Sequence, residues 1–297
     1  MINIDNRWVN QGTGEIKDDV VNIETKQDVT QKQQKQQNQK EGYKYIQQQI
    51  VPLPSFLQQQ FGNFIHSRYD ALLQKTNYDT ATAFRFIYLC TFMEYDTGYI
   101  LWNNKHITDH YLIDIFGVHK NTITNIKKKL FDAELIFEDN DGHLYVNIDY
   151  CYRGDISSNK QYRQQCTRIF NDGIQKLYKN TLDFRDHKML GKLILLLPYI
   201  NIYHNVICLN TKEKDWDKLV IPNAEQMDSI LHTSLRNNQK QMKKLLEIEI
   251  NGEPAVLVVK HKNTHMYAVN PRIYYGGTKL GDVEELSGMF KVKGGLE

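Results

Sequence analysis

Two stretches of this chain, "LYVNIDYCYRGD" (Leu144 to Asp155) and "MYAVNPRIYYGG" (Met266 to Gly277), align without a gap. Tyr145, Tyr152 and Gly154 match Tyr267, Tyr274 and Gly276, an offset of 122. Upstream, "NIKKKLFDAELI" finds a counterpart in "QMKKLLEIEI", with Lys128-Lys129 against Lys243-Lys244 at an offset of 115. The apolar stretches before these, "FRFIYLCTFMEY" and "GKLILLLPYINIY", correspond loosely. The 297 residues have room for about two domains of ordinary size. Two copies of one supersecondary unit are the simplest account of the self-similarity. The change of offset requires a longer hairpin in the second copy. "PAVLVVKHKNTHMYAV" supplies it, with a turn near Lys262-Asn263.

The content of the unit is clearest in the first copy. Thr108 and Asp109 suit the N-cap of a short helix through Leu112, Ile115 and Phe116. Gly117 ends it, because glycine tolerates the left-handed backbone of a tight inter-helix turn. A second helix starts near Lys120 and carries Ile123, Ile126 and Leu130 inward at steps of three and four. Lys120, Asn121, Thr124, Lys127 and Lys128 are left on the outer face. Leu135-Ile136-Phe137 leads into "EDNDG", "HLYVNI" returns with strand alternation, and Asp141-Gly142 is a hairpin signal. Helix, glycine turn, polar-faced helix and hairpin, in that order, predict a winged helix-turn-helix.

Such a unit lays its second helix in the major groove of duplex DNA. Asn121, Thr124 and Asn125 would reach base edges, with Lys120 and Thr122 beside them. Lys127 and Lys128 would engage phosphates, and the hairpin from Asn140 to His143 would lie along the backbone or minor groove. In the second copy the candidate contacts are Arg236, Asn237, Lys240 and Lys243. His232 stands there in place of Gly117 and Asn238 in place of Ile123. That copy is therefore degenerate, and either meets DNA with a different geometry or dimerises.

The expected fold is mainly α with small β-wings (α+β): tandem winged helix-turn-helix domains behind a disordered Gln-rich segment. Residues 1–42 form an arm whose "KQDVTQKQQKQQNQK" (26–40) lacks apolar anchors and reads as a tether. Within the arm, "RWVNQGTGEIKD" alternates around Thr13-Gly14 as a small hairpin would. The first winged-helix domain spans 43–155, a connecting helix 156–180, the degenerate second domain 181–280 and a tail 281–297. "LPSFLQQQFGNFIHSRYDALLQK" suggests one helix, and "TATAFRFIYLCTFMEY" a buried one.

A formal net charge of +2 means that any basic surface is local. The four cysteines are scattered without a C-x-x-C pair, so no zinc site or disulfide framework is expected, and reduced thiols in a cytosol are the default. His261 and His265 flank a hairpin tip rather than one helix face, so no metal is expected there. Gly276-Gly277-Thr278-Lys279 lacks the earlier glycine of a phosphate-binding loop, and no His-x-His pair accompanies the tyrosines. Neither an enzyme nor a cofactor is expected. The longest apolar run, Leu193 to Ile200, is far short of a membrane span and contains Pro198. The expected location is the cytoplasm of a bacterial host.

"FGNFIHSRYDALL", "GVHKNTITNIKKKL" and "LYVNIDYCYRGD" resemble the RepL-type replication initiators of small plasmids from Gram-positive bacteria. That family's opening Ser/Thr-Gly-Glu turn before a hydrophobic residue is echoed by Thr13-Gly14-Glu15-Ile16. The resemblance covers roughly residues 5–165 and extends to phage-encoded DNA-binding proteins. The Gln-rich insertion and the second unit depart from it. In being doubled, the chain is similar in layout to tandem winged-helix initiators of other plasmids. The resemblance implies a replication initiator on origin DNA, with a phage transcriptional regulator as the alternative. A scaffold for protein interaction is the reading from a different class. Implied partners are double-stranded DNA, a second copy of the chain, and host replication or transcription proteins, with no membrane.

Overall fold

The computed structural model describes residues 2–4, 7–9, 12–13, 16–17, 53–156, 167–181, 186–233, 235–277 and 280–294. The tether expected over residues 26–40 lies outside them. Two compact units are distinguished, residues 1–52 and 53–297. In the first, β1 (Ile2–Ile4), β2 (Arg7–Val9) and β3 (Ile16–Lys17) form an antiparallel sheet. Its β2–β3 pair, Trp8 with Lys17 and Val9 with Ile16, is the hairpin read from the alternation.

The second unit is mixed α/β rather than mainly α, with small antiparallel sheets. The stretch expected as one helix before residue 76 is three elements. These are α1 (Leu53–Phe61), β4 (Phe64–Ser67) and α2 (Tyr69–Lys75). Gly62, at φ 80°, breaks the helix, and in the strand that follows Phe64 and Ile65 pack into cores on opposite faces of a sheet. The first half continues with α3 (Thr80–Cys90), buried almost all round, and the short β5 (Leu101–Trp102) and β6 (Lys105–His106). Then come α4 (Leu112–Phe116), α5 (Lys120–Asp132), the hairpin β7 (Ile136–Glu138) and β8 (Leu144–Val146), and β9 (Cys151–Tyr152).

The second half repeats this order. β10 (Thr167–Phe170) leads to α6 (Asn171–Asn180), α7 (His187–Leu196), α8 (Ala224–Ile230) and α9 (Leu235–Leu246). A small pair, β11 (Glu249–Ile250) with β12 (Glu253–Pro254), precedes the hairpin β13 (Val256–His261) and β14 (Thr264–Val269), and β15 (Tyr274–Tyr275) closes the half. Residues 156–180, expected as a connecting helix, thus hold a strand and the first helix of this half. Residues 281–297, expected as a tail, lie largely in α10 (Leu280–Gly294).

One four-stranded sheet, ordered β15-β10-β4-β9, joins the halves. At its centre β4 and β10 run antiparallel, with Ile65 opposite Ile169 and His66 opposite Arg168. On the flanks, Ser67 faces Cys151 and Ile169 faces Tyr274. The second pair is the first moved on by 102 (67 to 169) and 123 (151 to 274) residues. Moving His66 on by 102 gives Arg168, its own partner, so a local two-fold axis passes through that pair.

The loops keep the relation. Ile100 N–H donates to Leu144 O as Ile207 N–H does to Tyr267 O. Asn147 bonds Glu134 O through Nδ2 (2.9 Å) and accepts from Asp149 N–H (3.0 Å). Asn270 bonds Pro254 O (3.0 Å) and accepts from Arg272 N–H (2.9 Å). The late offset is therefore 123 rather than 122. The shared Val-Asn pair, 146–147 and 269–270, carries the backbone bonds, and Gly154 answers to Gly277. An added Cβ at either glycine would fall within 2.7 Å of the hydroxyl of the tyrosine two residues earlier.

The main core draws on both halves, including Ile65, Phe84, Leu130, Ile169, Leu193 and Leu245. Helices α3 and α7 cross closely because Gly191 has no side chain; a Cβ there would sit 2.2 Å from Thr80 O. On the other sheet face α1 and α10 cover Phe170, Tyr275 and the base of the second hairpin in a smaller core. No helix among the described residues is long and apolar enough to cross a membrane.

Candidate nucleic-acid interface

The turn before α5 is built as the sequence suggests. Gly117 takes φ 60° and its N–H donates to Ile113 O, closing α4. The open carbonyls behind it are capped by buried tyrosines: Tyr88 Oη donates to Ile115 O (2.8 Å) and Tyr178 Oη to Phe116 O (2.9 Å). The two rings stack at 3.7 Å between centroids. Burial pushes the Tyr88 hydroxyl up to about 12 and raises that of Tyr178 as well, so both remain donors at neutral pH. In the second half Lys192 Nζ donates to Leu231 O, and His232 adopts the left-handed backbone of Gly117, at φ 46°. The second turn thus keeps its shape without glycine.

Helix α5 buries Ile123, Ile126 and Leu130. Lys120, Asn121, Thr124, Asn125 and Lys128 are exposed, and Thr122 is half-buried. No acidic residue interrupts the helix before Asp132 at its end. Thr124 donates its hydroxyl to Lys120 O, leaving only its lone pairs for a partner. Lys127 is half-buried and bonds Asp109, and the bond from Lys127 holds that carboxyl below the usual carboxylate range. It is therefore engaged within the protein, unlike Lys128, which makes no ion pair among the described residues. Lys129 turns the other way to Asp79 (2.7 Å). Burial would raise the Asp79 carboxyl, but bonds from Lys129 and Thr82 outweigh it and keep it low.

His143 sits on the first hairpin, with Nδ1 3.5 Å from Asp139 Oδ2. In α9, Met242 and Leu245 are buried while Lys240, Lys243 and Lys244 are exposed. The side chains of Arg236 and Asn237 lie outside the described residues. Gln241 replaces the inward Ile126 and bonds Thr233 Oγ1 (2.8 Å).

Asp139, Asp141 and His143 bring ligand-type atoms within 4.8 Å of one another at the first hairpin's exposed tip. His261 and His265 stand on opposite strands, and His261 turns to Asp217 (2.8 Å). What residue spacing did not single out were the anchors Tyr88, Tyr178 and Lys192 and the exposed Lys260 of the second hairpin. The anchors act across long sequence separations, and a tyrosine in an apolar helix carries no local mark of that role. Comparison of the chain with known protein families, curated proteins and solved structures finds no match.

Proposed function

We propose that this chain is a tandem winged-helix protein that binds double-stranded DNA by sequence, at the replication origin of a phage or plasmid. The observation that carries the reading is α5. Its outward face offers Lys120, Asn121, Asn125 and Lys128, with no acidic residue in the helix before Asp132, behind a left-handed turn fixed by two buried tyrosines. Asn side chains pair bidentately with adenine, and lysines reach guanine edges or phosphates. The two-fold relation supports a duplex ligand. B-form DNA has local two-fold axes of its own, so one aligned with that of the protein meets α5 and α9 in equivalent positions. Half-sites about 10 base pairs apart, or a multiple, then follow. The origin assignment rests on the resemblance to plasmid initiators.

Selection from a random duplex pool tests the reading. A single enriched motif with two half-sites is expected; a pool that stays random overturns it. On the enriched duplex, Lys120→Ala with Asn121→Ala is expected to weaken binding by ~1–3 kcal/mol for each base edge no longer read. Lys128→Ala is expected to weaken all sequences alike and lower the salt slope by about one unit. Crosslinking the tagged chain across its host genome separates the two roles. One peak at an origin supports initiation, and several peaks at promoters support a transcriptional regulator instead.

A further inference from the structure

The hairpins that follow α5 and α9 differ in charge and in length. The first pairs over three rungs and carries Glu138, Asp139 and Asp141 around its tip. Asp139 accepts from the backbone N–H of His143 (2.8 Å) and of Asp141 (2.9 Å), and from Tyr99 Oη (3.1 Å). Those bonds, His143 N–H foremost, hold its carboxyl below the usual carboxylate range. With His143 and, 5.5 Å from it, a His106 already paired with Glu94 beside these three carboxylates, this tip repels a phosphate backbone.

The second hairpin pairs over six rungs, from Val256–Val269 to His261–Thr264, and closes in two residues with Lys262 at φ 52°. Three more rungs at ~3.4 Å each make its ladder about 10 Å longer. Its base is fixed, since Leu257, Met266 and Ala268 are buried in the smaller core against α10. Its far end exposes Lys260, Lys262, Thr264 and His265. Asp217 faces that end, 2.6 Å from Lys262 Nζ and 2.8 Å from His261 Nε2. Lys260 makes no ion pair among the described residues.

We propose that the second hairpin, and not the first, is the arm that grips the DNA backbone, with Lys260 and Lys262 on phosphates. This rests on the duplex-binding reading above. The duplicated halves both present a helix to the duplex, α5 and α9, but only the second adds a long hairpin for electrostatic grip. Lys262 leaves Asp217 for a phosphate in the complex, and the acidic first hairpin stays clear of the duplex.

The test uses the full chain and its enriched duplex across a salt series. Lys260→Ala with Lys262→Ala is expected to lower the slope of log K against log salt by about 1.8, at ~0.9 for each phosphate no longer neutralised. Both side chains are exposed, and a melting curve checks that the variant is folded. A photocrosslinking group at Asn263 is expected to couple to the duplex, and the same group at Asn140 to fail. An unchanged slope, or coupling from Asn140 and not Asn263, overturns the assignment while leaving duplex binding intact. A wild-type chain that binds no duplex removes the duplex reading itself and this assignment with it.

Discussion

His66 sits where the two-fold axis crosses the sheet, buried and opposite Arg168. Burial, with the Arg168 charge adding to it and Asp155 opposing, pushes its imidazole down to about 4. In the unfolded chain the same group titrates near 6.5. As pH falls from 6.5 towards 4, the unfolded state takes up a proton that folded His66 refuses. Stability is therefore fully present above that window, declines within it and levels off below. Between pH ~6.5 and ~5, above most carboxylates, the loss is expected to reach about 2 kcal/mol. Denaturant unfolding of the wild type beside His66→Gln checks it; equal pH dependence in both would disprove the role. Asn147 and Asn270 mark how far single residues carry the repeat. The Val-Asn identity is visible in the sequence, yet the tyrosines suggest an alignment one residue out. The hydrogen bonds of the asparagines to Glu134 O and Pro254 O, like the strand pairs of Cys151 and Tyr274, fix the register.

Among the elements, α4, the Gly117 turn, α5 and the hairpins were legible, because helical period, a left-handed glycine and Asp-Gly are local signals. β4 was not. "FGNFIHS" fits helical spacing as well as strand alternation, and the choice is made by β10, about a hundred residues away. His232 concealed a turn for a similar reason, since tertiary contacts hold a non-glycine residue at positive φ. The α3–α7 crossing yields a paired prediction. Gly191→Ala pushes a methyl against Thr80 O and is expected to cost upwards of about 2 kcal/mol, as overpacking between backbones does. Gly288→Ala in α10 points into open space and is expected to gain about 0.5–1 kcal/mol from helix propensity. Thermal melts of the two variants should move in opposite directions, and a shift of the same sign in both would contradict the described packing.

Across residues 53–297, the halves share a core and a sheet instead of standing as separable domains. Cutting between them leaves β4 without β10 and opens the face around Ile65 and Leu72. Residues 53–156 alone are therefore not expected to be a stable monomer. Sedimentation and amide-proton dispersion check this, and a well-folded monomer would show that the common core is dispensable. The register also states what such a half would seek. With a second β4 in place of β10, the same ladder puts His66 opposite His66 and Ser67 opposite Ile65, a self-complementary pairing about a true dyad. The chain thus carries, within one polypeptide, the strand geometry of a two-fold homodimer. Because both copies lie in one chain, they need not be identical. One inter-helix turn holds His232 where the other holds Gly117, one hairpin tip is acidic, and the other hairpin is longer and basic, differences that two identical subunits could not carry.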